Sequence, residues 1–224
     1  MPANSGKLWL ELLGSQEDFE KVIMSSIDSA FNAAIKGAIV LIKNNLEVLI
    51  YSEIKGCSEL QDLKSGSLRG ELGLTSSQAA QAAEEIAKAV SESIVVDHGK
   101  ASVKTGSGGL DIYIQPSSFA NVLSIGNASI RYFSKKYKRP VTLEWLNWLL
   151  KEGDRIIVGK FDFEPIAGRG RSGLGSMKKG GSWRVSPQSS GTEDDNFITR
   201  ALGNKLAQNK MARIIEKAIK ANWK

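Results

Sequence analysis

The chain has 224 residues, 42% of them hydrophobic, which excludes a disordered chain and allows one large domain or two small ones. With one cysteine (Cys57) and one histidine, a single copy cannot form an internal disulfide or a four-ligand structural zinc site. The net charge of +6 is uneven: residues 1–130 carry 10 lysines and arginines against 15 aspartates and glutamates, and residues 131–224 carry 20 against 9. Such a charge split indicates a polyanionic or acidic partner, or head-to-tail self-association.

No part of the sequence has the pattern of a targeting or membrane segment. The first twenty residues lack the basic-then-apolar order of a signal peptide. The most apolar run, residues 38–42, is far shorter than the ~20 residues that span a bilayer. We therefore expect a soluble intracellular product with no membrane partner.

The first predicted element is a long amphipathic helix over residues 16–51, in which apolar residues recur at i, i+3, i+4 and i+7. Ser15, followed three residues later by an aspartate, predicts a capped start. At ~1.5 Å per residue the helix would be roughly 50 Å long. So long an apolar stripe exceeds what a small domain needs for its own core, so part of it is expected to pack on a neighbouring chain. The candidate subunit contacts on this helix are Phe31, Ile35 and Ile39.

The next segments predict short elements of both kinds. Residues 58–74 indicate a turn of helix and a loop, and residues 76–91 an alanine-rich amphipathic helix. Residues 93–98 and 109–115 predict two strands around a loop rich in glycine and serine. A short helix is expected from Pro116.

The third quarter of the chain begins with a basic and aromatic stretch, residues 131–140. Thr142 is expected to cap a compact helix that Gly153 ends. Residues 154–165 alternate in character and predict a strand.

Residues 165–192 contain seven glycines and five cations but no acidic residue. They predict a long extended arm or hairpin with little core, which gains order on a neighbouring subunit. Its candidate subunit contacts are Arg171, Met177, Trp183 and Val185. After it, Thr192 with three acidic residues predicts the capped start of a last helix that reaches Asn222.

These elements predict an α+β fold. A long N-terminal amphipathic helix and a C-terminal helix flank a small mixed or antiparallel β-sheet. Residues 1–164 and 193–224 form a single domain, and the Gly/Arg-rich arm, residues 165–192, lies within it.

Few residues of the sequence suggest catalysis. His98 lies in a predicted turn and is interpreted as solvated, and Cys57 as a small filler residue. Asp111, Asp162 and Glu164 lie on predicted strands, so a magnesium-dependent nuclease is one alternative. The glycine spacing of residues 168–173 fits a dinucleotide fingerprint only loosely, and no helix follows it to receive a phosphate. We therefore expect no cofactor, no metal and no enzymatic activity.

Two basic segments carry the strongest functional signal. In residues 131–139, lysines and arginines are interleaved with aromatic residues, a pattern typical of nucleic-acid binding as well as of an ordinary strand rim. Residues 169–184 have the same ambiguity. The alternative function is therefore nucleic-acid binding through these two segments. The candidate contacts to a DNA channel or an acidic partner are Lys135, Lys136, Lys138, Arg139, Arg169, Lys178, Lys179 and Arg184.

Residues 140–205 contain a series of distinctive phrases. They are LEWLNWLLKEGD (143–154), GRSGLGSM (170–177), SWRV (182–185) and GTEDDNFITRAL (191–202). This series resembles virion structural proteins of tailed bacteriophages, of the neck, head–tail connector and tail-completion (tail terminator) kind. A long helix followed by LKSGSLR (63–69) is similar to the same group, with Ser65 where threonine is commoner.

The resemblance implies a non-catalytic subunit of a homo-oligomeric ring in the virion, six- or twelve-fold, between the portal and the tail tube. Its partners would be copies of itself and adjacent neck, portal, tail-tube or sheath proteins. Duplex DNA would pass through the ring without being read for sequence. The implied fold is α+β, with helices flanking a small sheet.

Overall fold

A computed structural model describes residues 15–99, 102, 104, 109–114, 118–134 and 138–223. Its helices, in chain order, are α1 (Gln16–Gly56), α2 (Ser58–Ser65), α3 (Ser67–Leu72), α4 (Ser76–Glu92), α5 (Ala120–Leu123), α6 (Trp145–Leu150), α7 (Phe197–Gly203) and α8 (Lys205–Asn222). Its strands are β1 (Val95–His98), β2 (Leu110–Tyr113), β3 (Ile130–Ser134), β4 (Arg139–Leu143), β5 (Val158–Pro165) and β6 (Gly175–Trp183). Within these described residues, no helix is both long and apolar enough to cross a membrane.

Helix α1 is the axis of the fold, with α4 and α8 packed along it. Its predicted start is confirmed, because the Ser15 side chain accepts a hydrogen bond from the backbone N–H of Asp18. Lys210 of α8 pairs with Glu53 near the C-terminal end of α1, at 2.7 Å. At the other end of α8 the Trp223 ring lies 5.7 Å from the Phe31 ring. Helices α1 and α8 are therefore antiparallel.

The core lies where α1 meets α4 and the short helices. Helix α4 begins with a capping box formed by Thr75 and Gln78. Alanines dominate its buried face, so α4 and α1 can approach closely. The fully buried side chains with the largest volumes include Trp145, Phe197, Ile42, Leu46, Ile50, Leu60 and Ile86.

The strands form three separate two-stranded antiparallel sheets, β1–β2, β3–β4 and β5–β6. The predicted α+β class is confirmed, with long helices at both ends of the described chain. In the described residues three hairpins stand in place of the predicted single small sheet, with α5 between β2 and β3 along the chain and α6 between β4 and β5. The hairpins contact the core through a few residues each, such as Ile130 of β3 and Trp183 of β6, which are 4% and 6% exposed.

Two predicted helix starts are wrong. Helix α7 begins at Phe197 with Asn196 as its cap, whose side chain accepts from the backbone of Ile198 and Thr199. Thr192 instead accepts from the Asp195 N–H in the preceding turn, at 3.1 Å. Thr142 lies on strand β4 opposite Arg131 and does not cap α6.

Other boundaries differ in a similar way. The predicted last helix is divided, because the chain turns extended at Asn204, which caps α8. Residues 58–74 form two short helices, α2 and α3, and the basic stretch from residue 131 forms hairpin β3–β4. Pro116, the expected start of a short helix, lies outside the described residues.

The glycine-rich segment after Pro165 forms a hairpin, one of the two predicted forms, and this hairpin is anchored on the domain at the end of β6. Its strand β6 pairs with β5 from Val158 opposite Trp183 to Pro165 opposite Gly175. Trp183 is 6% exposed and Val185 is fully buried. Gly170 is required in the connecting turn, since it has a φ of +72° and a Cβ there would lie 1.8 Å from the Gly175 carbonyl oxygen.

Candidate subunit interface

The N-terminal part of α1 has no buried side chain, and Phe31, near its end, packs against Trp223. The first buried residue of α1 is Ala34, although the helix begins at Gln16. Residues 16–33 are named the overhang here. At ~1.5 Å per residue they extend about 27 Å. The overhang is therefore a continuous part of helix α1 that contributes no side chain to the chain's own buried core.

The overhang exposes a stripe of large apolar side chains. Phe19 is 56% exposed, Val22 65%, Ile23 43% and Ile27 36%. Their spacing of three and four residues places them on one face of the helix. Single exposed apolar residues are common on protein surfaces, but a continuous apolar stripe marks an interaction surface.

The overhang is also acidic. It carries Glu17, Asp18, Glu20 and Asp28 against the single cation Lys21, a net charge of −3. Two of these carboxylates lie in the first turn, where the helix dipole favours them. The same helix segment thus combines an apolar stripe with negative charge.

A second apolar surface lies in a groove between α1 and α8, with a volume of about 580 Å³. This groove is lined by Leu41, Asn45 and Val48 on the α1 side and by Ile214, Lys217 and Ala221 on the α8 side, among others. Leu41 is 42% exposed and Val48 71%. Lys217 places a positive charge on the α8 wall of the groove, and α8 as a whole carries five cations against one glutamate.

The β5–β6 hairpin is fastened to the domain by Arg171. Its Nε donates to the Gly73 carbonyl at 2.7 Å, and its guanidinium carbon lies 5.6 Å from the centre of the Tyr132 ring. Desolvation in this position lowers the pKa of the guanidinium. Trp148 packs edge-on against Trp183, with ring centres 5.9 Å apart. The hairpin is therefore presented in a fixed orientation on the domain.

A cleft of about 360 Å³ remains beneath this hairpin. Glu71 lines it, and desolvation together with repulsion from Asp62 raises the pKa of this carboxyl. A hydrogen bond from the Trp183 indole opposes that rise. The cleft is thus aromatic, with one carboxyl whose charged form is disfavoured.

The structure corrects part of the predicted interface. Ile35, Trp183 and Val185 are 1%, 6% and 0% exposed, so they belong to the chain's own core and have no surface for a neighbour. Phe31 and Ile39 are half-buried beside α8 and the core. Arg171 and Met177 are exposed, and the Arg171 guanidinium contacts Gly73 and Tyr132 of its own chain. The stripe from Phe19 to Ile27 and the groove were missing from the predicted interface residues.

The cations predicted to contact DNA or an acidic partner fall into three groups: exposed, ion-paired, or outside the described residues. Lys138, Arg139, Arg169 and Lys179 are exposed. Lys178 pairs with Glu164 at 2.9 Å, and Arg184 with Asp154 at 3.2 Å. Lys135 and Lys136 lie outside the described residues. Two of these cations are thus already paired with carboxylates of their own chain.

The carboxylates considered for magnesium are not brought together. Asp111 pairs in register with Asp97 in the β1–β2 hairpin, whereas Asp162 and Glu164 lie on β5. Across the described residues, no group of three histidines, cysteines, aspartates or glutamates is arranged to hold a metal ion. His98 is exposed at the end of β1.

Cys57 is a half-buried residue at the junction of α1 and α2. Burial raises the pKa of its thiol to about 11. This keeps the thiol protonated and unreactive at neutral pH.

No protein-family model, curated protein or solved structure matches the chain.

Proposed function

We propose that the chain is a structural subunit of a tailed-phage particle, in a neck or tail-completion ring that joins the DNA-filled head to the tail. The observation that carries this proposal is the overhang, an apolar and acidic length of helix that begins where the chain's own core ends. A helix exposing such a stripe is stabilised by packing against another chain. The kind of particle is proposed from the resemblance of residues 140–205 to virion structural proteins of tailed phages.

The charge distribution supports a head-to-tail ring. The overhang is acidic and α8 is basic, so opposite charges lie at separate places on one molecule. A heterologous contact between two different patches generates a ring when the rotation between neighbours closes. In this role the chain joins its neighbours by surface complementarity, and its exposed hairpins meet adjacent layers or passing DNA.

The experiment is to locate the protein in purified particles. Mass spectrometry of particles purified by density gradient is expected to detect the chain in a fixed ratio to the portal protein. Electron microscopy with a tagged copy is expected to place it at the junction of head and tail. Finding the chain in infected-cell lysate but never in particles would overturn the proposal.

Nucleic-acid binding is the second candidate, favoured by one feature of hairpin β3–β4. Phe133 is 63% exposed, and the exposed Arg131 and Arg139 lie on the same hairpin. An exposed aromatic ring among cations can stack on a base while the cations contact phosphates. This surface is small, which suits weak binding without sequence readout.

Salt dependence separates this candidate from a purely structural role. Fluorescence anisotropy with single- and double-stranded DNA is expected to show affinity that falls steeply with salt, and that is weakened by Arg131→Glu with Arg139→Glu. Lys88→Glu, an exposed change of charge on α4, is the control. Equal effects of both changes would reject a specific DNA surface on this hairpin.

A further inference from the structure

We propose that the overhang of one copy docks head to tail in the groove between α1 and α8 of a second copy. The proposal deepens the proposed function by naming its subunit contact, and it rests on that function only in requiring self-association. The occupant of the groove is thus the same segment, residues 16–33, of a neighbouring chain.

The two surfaces match in chemistry. The overhang presents Phe19, Ile23 and Ile27 along a helix, and the groove offers Leu41 and Val48 beside the aliphatic wall of α8. An amphipathic helix commonly binds a groove between two helices through anchors at these spacings. Docking would remove from water the largest exposed apolar side chains of α1.

The charges also match. The overhang has a net charge of −3, and α8 has five cations against one glutamate. Lys217 lines the groove itself, and Arg213 is exposed one turn away on α8. The alternative in which two overhangs pair with each other would instead bring two acidic segments together, which opposes association.

Continuity of α1 requires that the contact is between chains. The overhang and the α1 wall of the groove belong to one uninterrupted helix, Gln16–Gly56. A straight helix cannot fold back onto its own side, so the overhang cannot enter the groove of its own chain. The groove wall from Leu41 to Ser52 covers about 17 Å at ~1.5 Å per residue, which the overhang of about 27 Å can fill.

A complementation experiment tests this contact. One full-length variant carries Ile23→Gln and Ile27→Gln and so has a disabled overhang. The other carries Leu41→Gln and Val48→Gln and so has a disabled groove. All four side chains are at least 36% exposed, so both variants are expected to keep the wild-type circular dichroism spectrum and melting temperature.

The expected result is a distinctive pattern of masses in analytical ultracentrifugation. The wild type is expected to self-associate, each variant alone to associate about tenfold or more weakly, and a one-to-one mixture to form a complex of two chains and nothing larger. The mixture recovers one contact because the unaltered overhang of the groove variant can bind the unaltered groove of the overhang variant. Val40→Gln is the control, since Val40 is 69% exposed on α1 but does not line the groove.

Several outcomes would overturn the inference. If the groove variant assembles like the wild type while the overhang variant does not, the overhangs pair with each other or with a different surface. If the mixture gives no two-chain complex, head-to-tail docking in this groove is refuted.

A second measurement uses cysteines. In a Cys57→Ser background, copies with Ile27→Cys are mixed with copies carrying Val48→Cys, and a disulfide-linked heterodimer is expected under mild oxidation. Crosslinking no faster than with a Val40→Cys control would contradict the proposal. These results are independent of the particle location, so detection of the chain in virions without complementation would reject this contact and leave the proposed function standing.

Discussion

Removal of the overhang is expected to separate stability from assembly. The comparison is between a variant that begins at Asp28 and one that begins at Ser15, because the two differ only in residues 15–27. No side chain in this segment is buried. A helical segment of about 13 residues with no buried side chain is only marginally stable by itself, so its loss is expected to change the free energy of unfolding by less than about 1 kcal/mol.

The effect on association is expected to be much larger. The exposed fractions of Phe19, Val22, Ile23 and Ile27 are 56%, 65%, 43% and 36%. Together they correspond to about two whole side chains, and burying each contributes about 1.5–3 kcal/mol. Losing about 3–6 kcal/mol would weaken self-association by roughly two to four orders of magnitude.

Two measurements check these magnitudes. Urea unfolding followed by circular dichroism gives the free energy of unfolding of both variants at a concentration where they are monomeric. Sedimentation over a range of concentrations gives their association constants. Equal association of the two variants, or a loss of several kcal/mol in stability on removing residues 15–27, would refute the assignment of this segment to assembly.

Three further predictions concern the hairpin, the cleft and the thiol. Val185→Ala is expected to lower the free energy of unfolding by about 1–3 kcal/mol, while Met177→Ala on the exposed side of the hairpin costs less than about 1 kcal/mol; equal costs would contradict the anchored hairpin. Glu71→Gln is expected to stabilise the fold at neutral pH, because burial raises the pKa of this carboxyl and disfavours its charged form. This gain in stability is expected to shrink and then vanish as the pH falls below the folded-state pKa of Glu71. A gain that grows on acidification would contradict the raised pKa. Cys57, with a thiol pKa raised to about 11, is expected to react with a disulfide reagent at pH 8 far more slowly in the folded protein than in urea; equal rates would show an accessible thiolate.

The sequence was a good guide where a local pattern sets the structure. The start of α1 at Gln16 follows from the serine cap and the 3.6-residue periodicity, and helix α4 from its alanine-rich amphipathic pattern. The β1 and β2 strands were also located, because β-branched and aromatic residues alternate there with polar ones.

Competition between local signals could not be decided from the sequence. Thr192 followed by acidic residues is as good a helix start as Asn196. The structure selects Asn196 because helix α7 then buries Phe197 and Ile198, which are 0% and 1% exposed. Tertiary burial, and not capping propensity, decides between the two caps.

The candidate interface was harder to predict from the sequence, because it depends on contacts between residues that are far apart in the chain. The apolar stripe of α1 is visible in the sequence, but its periodicity cannot tell which residues the chain buries itself. Ile35 was expected to meet a neighbour and is buried, whereas Phe19 is exposed. The groove has no sequence signal of its own, since it exists because α8 lies antiparallel against α1.

The division of α1 into a buried half and an overhang has a consequence for assembly. The free energy from docking depends on apolar area and charge, but the copy number of a closed ring depends on the angle between the overhang and the groove of the same chain. Both belong to one continuous helix, so α1 sets this angle rigidly. In the proposed ring, a change that bends α1 near Gly37, where the Asn222 side chain packs closely, would therefore change ring size or closure without changing either of the two proposed docking surfaces.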